Sequence, residues 1–463
     1  MTRHRGGLAG GPVRSVGGPP AVGHTTASSV VAPVGRIWDK TLWVAMAMVG
    51  VVAIKLPELI GPLAAIRPAM LVAGGGTLLL LARTPWPSIA SATHRRLPLL
   101  VLAYFGWCVL TVPTSLWPGL GIDTLIGFAP AVLLFLAIAN CQPDRLTLEK
   151  AQLWWVLLLA VYGIIGQAVA ISGFGRLRFG YTYDSNDIAA LMAIGFPLAA
   201  GLALRSLYRK KFLAIGAVLI IGTTIIATSS RGGVVALVAG AVVFALASRG
   251  TRRIYIITAL IVGGMVGWAT ASPQFRARMM SLTNLDQDYN NTLPTGRKAV
   301  WERGRGYIRQ NPLLGVGVGN FPIAEGQTLD EAQQHGKWSA AHNAYIQAYA
   351  ELGLPGGTIL VVLLVSGAII GVRYARGVRF GDETVTRPEY IASVASYAVS
   401  GIFLSHAYFS PMFALLGLLA LADRVSEVER GTAPVDGTVI APQPIRIGQR
   451  GGLARGSPWP AAR

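Results

Sequence analysis

The stretch Phe212-Leu-Ala-Ile-Gly-Ala-Val-Leu-Ile-Ile-Gly-Thr-Thr-Ile-Ile-Ala-Thr228 is an apolar run, followed by the short connection Ser229-Ser-Arg-Gly-Gly233 and a second apolar run. An apolar run of about 17 to 25 residues can cross the hydrocarbon core of a bilayer as one helix. Two such runs around so short a connection predict a helical hairpin whose turn lies at a membrane surface.

Comparable runs occupy most of the chain, at 41–57, 68–83, 97–116, 124–141, 151–172, 187–204, 212–228, 232–248, 254–271, 356–373, 389–405 and 408–422. Hydrophobic residues make up 52% of the chain and charged residues only 13%, with a mean hydropathy of +0.52. A soluble domain carries about 25% charged residues. The sequence therefore predicts an all-α polytopic membrane protein with about 12 transmembrane helices.

Short loops rich in Lys and Arg set the predicted orientation, because such loops stay on the cytoplasmic side. They lie at 83–96, 145–150, 205–211, 249–253 and 373–387, and all five share one side if the N-terminus is cytoplasmic. The predicted division is a disordered cytoplasmic tail at 1–40, transmembrane helices 1–9 at 41–271, a large periplasmic helical loop at 272–353, transmembrane helices 10–12 at 354–422 and a second disordered cytoplasmic tail at 423–463.

Charge and cysteine content narrow the classes of partner. The chain has 40 Lys and Arg against 21 Asp and Glu, a formal charge of +19, which favours anionic membrane lipid or anionic substrates. The long apolar runs argue against nucleic acid. Cys108 and Cys141 support neither a disulfide framework nor a thiolate site, and the histidines lack metal-ligand spacing. We predict no metal.

Three arginines lie in short loops of the periplasmic side, where few are expected. Arg176 and Arg178 follow Gly173, and Arg231 stands in the connection between the two runs quoted above. Guanidinium groups bind phosphate bidentately, so arginines converging from several loops would form a metal-free pyrophosphate clamp. For each arginine alone, binding to a lipid headgroup is the alternative.

Two polar segments precede apolar runs. His342, in Ser339-Ala-Ala-His-Asn-Ala-Tyr345, titrates near neutrality and can take a proton from an alcohol, although a structural role is the alternative. Asn186 or Asp187 is predicted to cap the helix that follows. The glycine-rich segment Asn311–Phe321 lacks the preceding strand that a nucleotide loop requires, so no nucleotide site is predicted there.

Taken in order, these motifs resemble the O-antigen ligase and O-antigen polymerase superfamily of bacterial envelope glycan enzymes. The resemblance runs from about Arg176 to Gly356. It is carried by the arginine loop with Asp184-Ser-Asn-Asp-Ile-Ala189, by Ser230-Arg-Gly-Gly233, by Thr295-Gly-Arg-Lys-Ala-Val-Trp301 through Phe321, and by Ala341-His-Asn343 with Glu351-Leu-Gly-Leu-Pro-Gly356.

The resemblance implies a glycosyltransferase of the bacterial inner membrane with its active site on the periplasmic face. It would take a glycan from an undecaprenyl-pyrophosphate-linked donor to an acceptor hydroxyl, with no cofactor. In that reading Arg178 and Arg231 hold the pyrophosphate together with Arg297, and His342 activates the acceptor. Arg176 is a nearly equal alternative to Arg178 for contacting the pyrophosphate. Further substrate-loop candidates are Asn186, Asp187, Trp301, Trp338, Asn343 and Glu351.

Several readings stay open. The two tryptophans either stack on sugar rings or anchor helices at the membrane interface. Within the superfamily, the chain is a glycan polymerase or ligase, or a protein O-oligosaccharyltransferase. A transporter of lipid-linked sugar or polysaccharide would instead require charges near the membrane midplane and broken helices. A non-catalytic scaffold would leave His342 replaceable.

Overall fold

A computed structural model of the chain describes residues 40–59, 71–76, 95–169, 176–281, 293, 296–331 and 338–430. Within these ranges the helices are α1 (Lys40–Met48), α2 (Arg96–Thr111), α3 (Pro118–Ala139), α4 (Arg145–Val169), α5 (Ser185–Arg205), α6 (Tyr208–Thr228), α7 (Arg231–Ala247), α8 (Thr251–Thr270), α9 (Pro273–Met280), α10 (Arg297–Gln310), α11 (Phe321–Glu331), α12 (Ala344–Arg376), α13 (Glu389–Ser400) and α14 (Ser410–Glu429). A hairpin of β1 (Val378–Phe380) and β2 (Glu383–Val385) joins α12 to α13, with Val378 paired to Val385.

Seven helices in the described ranges are long and apolar enough to cross a membrane: α2, α3, α4, α5, α6, α8 and α12. Two shorter apolar helices, Thr41–Ala53 and Arg231–Ala247, add to them. The chain is therefore a multi-pass helical membrane protein. The total of about 12 spans stays a prediction, since the run at 68–83 falls mostly outside the described residues.

Helix α5 lies at the centre of the packing, against α6, α7 and α13, and 72% of its apolar 18-residue stretch is buried. Helix α8 is the opposite case: Ile256 is its one buried residue, Leu260 is half-buried, and most of its other apolar side chains are exposed. An apolar helix with so little protein around it is stable only where lipid covers it.

The connections sort into two ends because successive long helices run in opposite directions. One end, here named the site end, holds the described residues of the α4–α5, α6–α7 and α13–α14 connections and of the segment 271–343. The other, the basic end, is tied by ion pairs between arginines and carboxylates: Arg205 with Glu389, Arg387 with Glu149, Arg373 with Asp423 and Arg145 with Glu383.

Helix α12 begins twelve residues before the apolar run predicted at 356–373 and is broken inside. Gly353 has φ 66° and ψ −173°, a conformation open mainly to glycine. A Cβ at this position would clash with the carbonyl of Leu313. The Leu354 N–H donates to the Pro312 carbonyl at 2.7 Å, so the segment after α10 is hydrogen-bonded to the break.

The last two predicted spans differ from the helices. The run at 389–405 predicts a helix through residue 405, but α13 ends at Ser400 and residues 401–409 form turns, named here the 401–409 loop. The helix does not continue through this loop, and the polar side chains of the loop form hydrogen bonds to other elements of the site end. Helix α14 passes the predicted boundary at 422 and ends at Glu429, where Asp423 and Glu427 pair with arginines.

Candidate functional site

The α6–α7 turn places Arg231 at the first position of α7. Ser230 caps this helix, and its hydroxyl donates to Asn186 Oδ1 at 2.9 Å. The Arg231 guanidinium donates to Ser281 Oγ at 3.1 Å, at the end of α9. The short connection thus directs one arginine from α7 toward the segment 271–343.

Arg176 joins the same turn. Its Nη2 donates to Asn186 Oδ1 at 2.8 Å and its Nε to the Thr228 carbonyl at 3.2 Å. The Arg178 side chain is exposed and makes no hydrogen bond or ion pair within the described part of the chain. Arg176, rather than Arg178, is therefore the arginine that contacts the start of α5, although Arg178 lies nearer to it in the sequence.

The start of α5 is capped by Asp184, which corrects the prediction that Asn186 or Asp187 is the cap. Asp184 has extended backbone angles, and its carboxylate accepts from the N–H groups of Asn186 and Asp187 at 2.6 and 2.9 Å. Asp187 returns a bond to the Asp184 N–H at 3.0 Å. In this capping box the side-chain oxygen of Asn186 and the Oδ1 atom of Asp187 stay directed at neighbouring elements.

His406 of the 401–409 loop meets that second oxygen. Its Nε2 lies 2.9 Å from Asp187 Oδ1, and its ring stacks on Phe409 with centroids 3.7 Å apart. The histidine is buried. Sequence reasoning missed it because it stands between two apolar runs with no ligand spacing; the polar pair Ser405-His406 inside an apolar stretch was the available signal.

His342 is held through its backbone. Its N–H donates to Ser405 Oγ at 2.8 Å, and its φ of 49° is unusual for a residue other than glycine. Asn343 caps α12 by accepting from the N–H groups of Tyr345 and Ile346 at 2.9 and 3.0 Å. The candidate base thus sits at a sharp turn directly before a helix.

Trp301 supports the same turn from the other side. Its indole N–H donates to the Ala341 carbonyl at 3.0 Å, one residue before His342. Arg297 is the half-buried first residue of the same helix, α10. Trp338 is 51% exposed and lies against Gly326 of α11.

Helices α10 and α11 are fixed to each other by a buried charge pair. Arg303 makes two bonds, at 2.9 and 2.8 Å, to the buried carboxylate of Glu325. The bond to Glu325 raises the pKa of the Arg303 guanidinium. Burial raises the pKa of the neighbouring Tyr307 phenol to about 12, so it stays a neutral donor to Glu325.

Glu351 is a buried residue whose carboxylate links three elements by hydrogen bonds. Its carboxylate accepts from the N–H groups of Gly319 and Phe321 at 2.9 and 3.3 Å and from the Tyr408 hydroxyl at 2.7 Å. The glycine-rich segment is therefore docked on α12. At Gly317, where φ is 99°, a Cβ would clash with Ser115 next to α3, so the segment also packs closely on that neighbour.

A path of hydrogen bonds and adjacent residues joins several of the predicted residues. It runs from Arg176 through Asn186 to Ser230, and from the adjoining Asp187 through His406 and Ser405 to His342 and Trp301. Arg178, Arg297, Trp338 and Glu351 lie outside it. No group of three or more His, Cys, Asp or Glu side chains able to hold a metal ion occurs among the described residues.

Residues 215–361 match a family model described as O-Antigen ligase. The match confirms the resemblance to the O-antigen ligase and polymerase superfamily. Members of this superfamily are glycosyltransferase-like ligases or polymerases. The O-Antigen ligase segment includes Arg231, Trp301, His342 and Glu351, and it ends before the 401–409 loop. No curated protein matches the chain.

Proposed function

We propose that this protein transfers a glycan from an undecaprenyl-pyrophosphate-linked donor to an acceptor hydroxyl on the periplasmic face of the bacterial inner membrane, with both termini cytoplasmic. One observation carries the proposal. Groups suited to a diphosphate leaving group, Arg176 and Arg231, and a group suited to an alcohol, His342, lie at one end of the helices and are joined by the 401–409 loop. The O-Antigen ligase match supports this class of reaction.

The leaving group needs positive charge as it departs. When the bond between the donor's anomeric carbon and the pyrophosphate oxygen breaks, its electron pair goes to that oxygen. Arg176 and Arg231 stabilise the new charge, with Arg178 of the α4–α5 connection and Arg297 at the start of α10 as further candidates. Asn186 holds Arg176 through a bond of 2.8 Å, so the guanidinium is oriented before the donor arrives.

The acceptor supplies the other half of the reaction. Its hydroxyl oxygen forms the new bond to the anomeric carbon, and its proton passes to the His342 imidazole. Precise placement of this base matters, because a base acts only within hydrogen-bond reach of the proton it removes. The bonds from Ser405 and Trp301 to residues 341–342 provide that placement.

Purified protein reconstituted with an undecaprenyl-pyrophosphate-linked oligosaccharide and candidate acceptors tests the proposal. We expect the wild type to transfer the glycan and to release undecaprenyl pyrophosphate, and His342→Ala, Arg231→Ala and Arg176→Ala to lose transfer while remaining folded. Arg209→Ala, an exposed arginine at the basic end, is the matched control. If the site variants behave like Arg209→Ala, the proposal is wrong. The acceptor that is used distinguishes a polysaccharide polymerase or ligase, which we favour, from a protein glycosylase.

A further inference from the structure

A cavity of about 220 Å³ lies at the site end between α3, α11, α12 and the 401–409 loop. Polar side chains from three of these elements line it: Thr124, Gln347, Glu351, Ser405 and Tyr408. Half-buried Tyr408 also brings an aromatic ring to the lining. The cavity is smaller than the roughly 300–1,000 Å³ of sites for drug-sized ligands, and its size suits one sugar ring.

The lining offers hydrogen bonds that the protein leaves unused. Ser405 Oγ accepts from the His342 N–H, and its own hydrogen has no acceptor among the described residues. Thr124 donates to the Leu120 carbonyl and Tyr408 to Glu351, which leaves lone pairs on both oxygens. One donor and two acceptors beside an aromatic face match the hydroxyl groups and the ring of a pyranose.

The charge of the lining separates this cavity from the pyrophosphate clamp. Glu351 is the one acidic residue among those that line it, and no Lys or Arg is among them. A lining without a cation offers no counterion to an anionic diphosphate and is compatible with sugar hydroxyls. The wall also contains Ala340 and Ala341, the two residues that precede His342.

We propose that this cavity binds the terminal sugar of the acceptor and presents its hydroxyl to His342. The proposal rests on the proposed transfer reaction for its role, and on the cavity itself for binding. Ser405 connects the two, since the hydroxyl that lines the cavity also holds the His342 backbone. The acceptor sugar and the donor diphosphate would then approach His342 from different sides of the 401–409 loop.

Two variants change the cavity without touching the residues assigned to the reaction. Ala340→Leu fills it, and Thr124→Val removes one acceptor while keeping the side chain's shape. Ala277→Leu on α9 and Thr223→Val on α6, both at exposed positions, are the matched controls. With saturating donor, Thr124→Val should raise the acceptor KM about threefold to tenfold, as loss of one neutral hydrogen bond predicts. Ala340→Leu should raise it further, and the donor KM should not change.

Binding is measured separately by saturation-transfer NMR on the detergent-solubilised protein with a panel of methyl hexopyranosides. We expect a signal with wild type and Ala277→Leu and its loss with Ala340→Leu. That result supports the cavity even if no acceptor is glycosylated, in which case the transferase proposal alone fails. An active enzyme whose acceptor KM is unchanged in both cavity variants, or a wild type that gives no sugar signal, overturns the acceptor site.

Discussion

His342 is positioned through the backbone on both sides of it. Ser405 accepts from its N–H, Trp301 donates to the carbonyl before it, and the Ala344 N–H donates to the Gly401 carbonyl at 2.7 Å. A residue with φ of 49° keeps that conformation only where its surroundings impose it. The residues that hold this turn should therefore affect the reaction without contacting the substrate.

Trp301→Phe tests this positioning. Phenylalanine keeps an aromatic ring at this position but has no N–H group, so the hydrogen bond to the Ala341 carbonyl is lost. The loss should cost about 1 kcal/mol in the free energy of unfolding. We expect kcat to fall on the order of tenfold, because the turn that carries His342 loosens. Trp338→Phe, at a 51% exposed position, should leave kcat and the melting temperature unchanged. Equal kcat values for the two variants would remove Trp301 from the site.

The two arginines of the α4–α5 connection differ in how they are held, and substitution should separate them. Arg176 bonds to Asn186 and Thr228, whereas Arg178 is exposed. Lysine cannot reproduce the two directed bonds of a guanidinium. We expect Arg176→Lys to lower kcat by about 10²- to 10³-fold, as removal of one donor to a developing charge does, and Arg178→Lys to lower it far less. The reverse order, measured as undecaprenyl-pyrophosphate release, would restore Arg178 as the clamp residue.

The 401–409 loop is the element that unites the site. It reaches α5 through His406 and Asp187, the turn at His342 through Ser405, and Glu351 of α12 through Tyr408. Helices α13 and α14 on either side fix its ends. A loop with this many bonds to separate elements should transmit a change at one of them to the others.

A double-mutant cycle on Asp187→Asn and His406→Gln measures this connection. The pair is largely buried, so we expect a coupling on the order of 1–2 kcal/mol in the free energy of unfolding, and a loss of transfer in each single variant. The exposed pair of Arg145 and Glu383 at the basic end is the comparison, with no measurable coupling expected and full activity. Additive effects of the Asp187 and His406 variants would contradict a role for their contact.

The break in α12 can be tested at Gly353. Any other residue at this position has a strained backbone conformation, and its Cβ clashes with the Leu313 carbonyl. Gly353→Ala should therefore cost about 1–3 kcal/mol in the free energy of unfolding. Gly263→Ala on α8, where a Cβ has open space around it, should be neutral or slightly stabilising. Chemical denaturation in detergent reports both values. A tolerated Gly353→Ala would mean that the break does not depend on this glycine.

Hydropathy predicted most helices because lipid requires long apolar segments, whatever their neighbours. The helix over Arg297–Gln310 was also predictable, since Asn311-Pro312 stops it. Hydropathy did not predict the helix boundaries that tertiary packing determines. The first turns of α12 are amphipathic and lie before the apolar run, and the 401–409 loop is as apolar as a helix. Asp184 was missed as a cap because four polar residues in a row, Asp184 to Asp187, could each have filled that position.

The candidate site was predictable at the residues that break a rule of composition. Arg176 and Arg231 are basic groups in loops where few are expected, and His342 stands before a helix. Their partners follow no such rule. Ser405 and His406 are distant in sequence from His342 and Asp187, and a single sequence carries no signal that pairs them. Which arginine meets Asn186 likewise depended on the path of the loop.

At the scale of the whole molecule, charge divides the two ends. The basic end carries exposed Arg209, Lys210 and Lys211 beside its arginine–carboxylate pairs, whereas Arg176 and Arg231 of the site end bond to neighbouring elements. The rule that places basic loops in the cytoplasm then predicts that the site lies on the periplasmic side. A protein that uses a lipid-linked donor needs this arrangement, since donor and acceptor must meet where the polar site borders the membrane.

Labelling of single cysteines tests the orientation directly. Cys108 and Cys141 are both fully buried, so the native chain should react little with a membrane-impermeant maleimide. Tyr181 at the site end and Tyr208 at the basic end are 61% and 84% exposed and make a matched pair. In intact spheroplasts we expect Tyr181→Cys to be labelled and Tyr208→Cys to react only after the membrane is opened. The opposite pattern would place the arginines and His342 in the cytoplasm, where a periplasmic glycan could not reach them, and would reject the proposed reaction even if every helix were placed correctly.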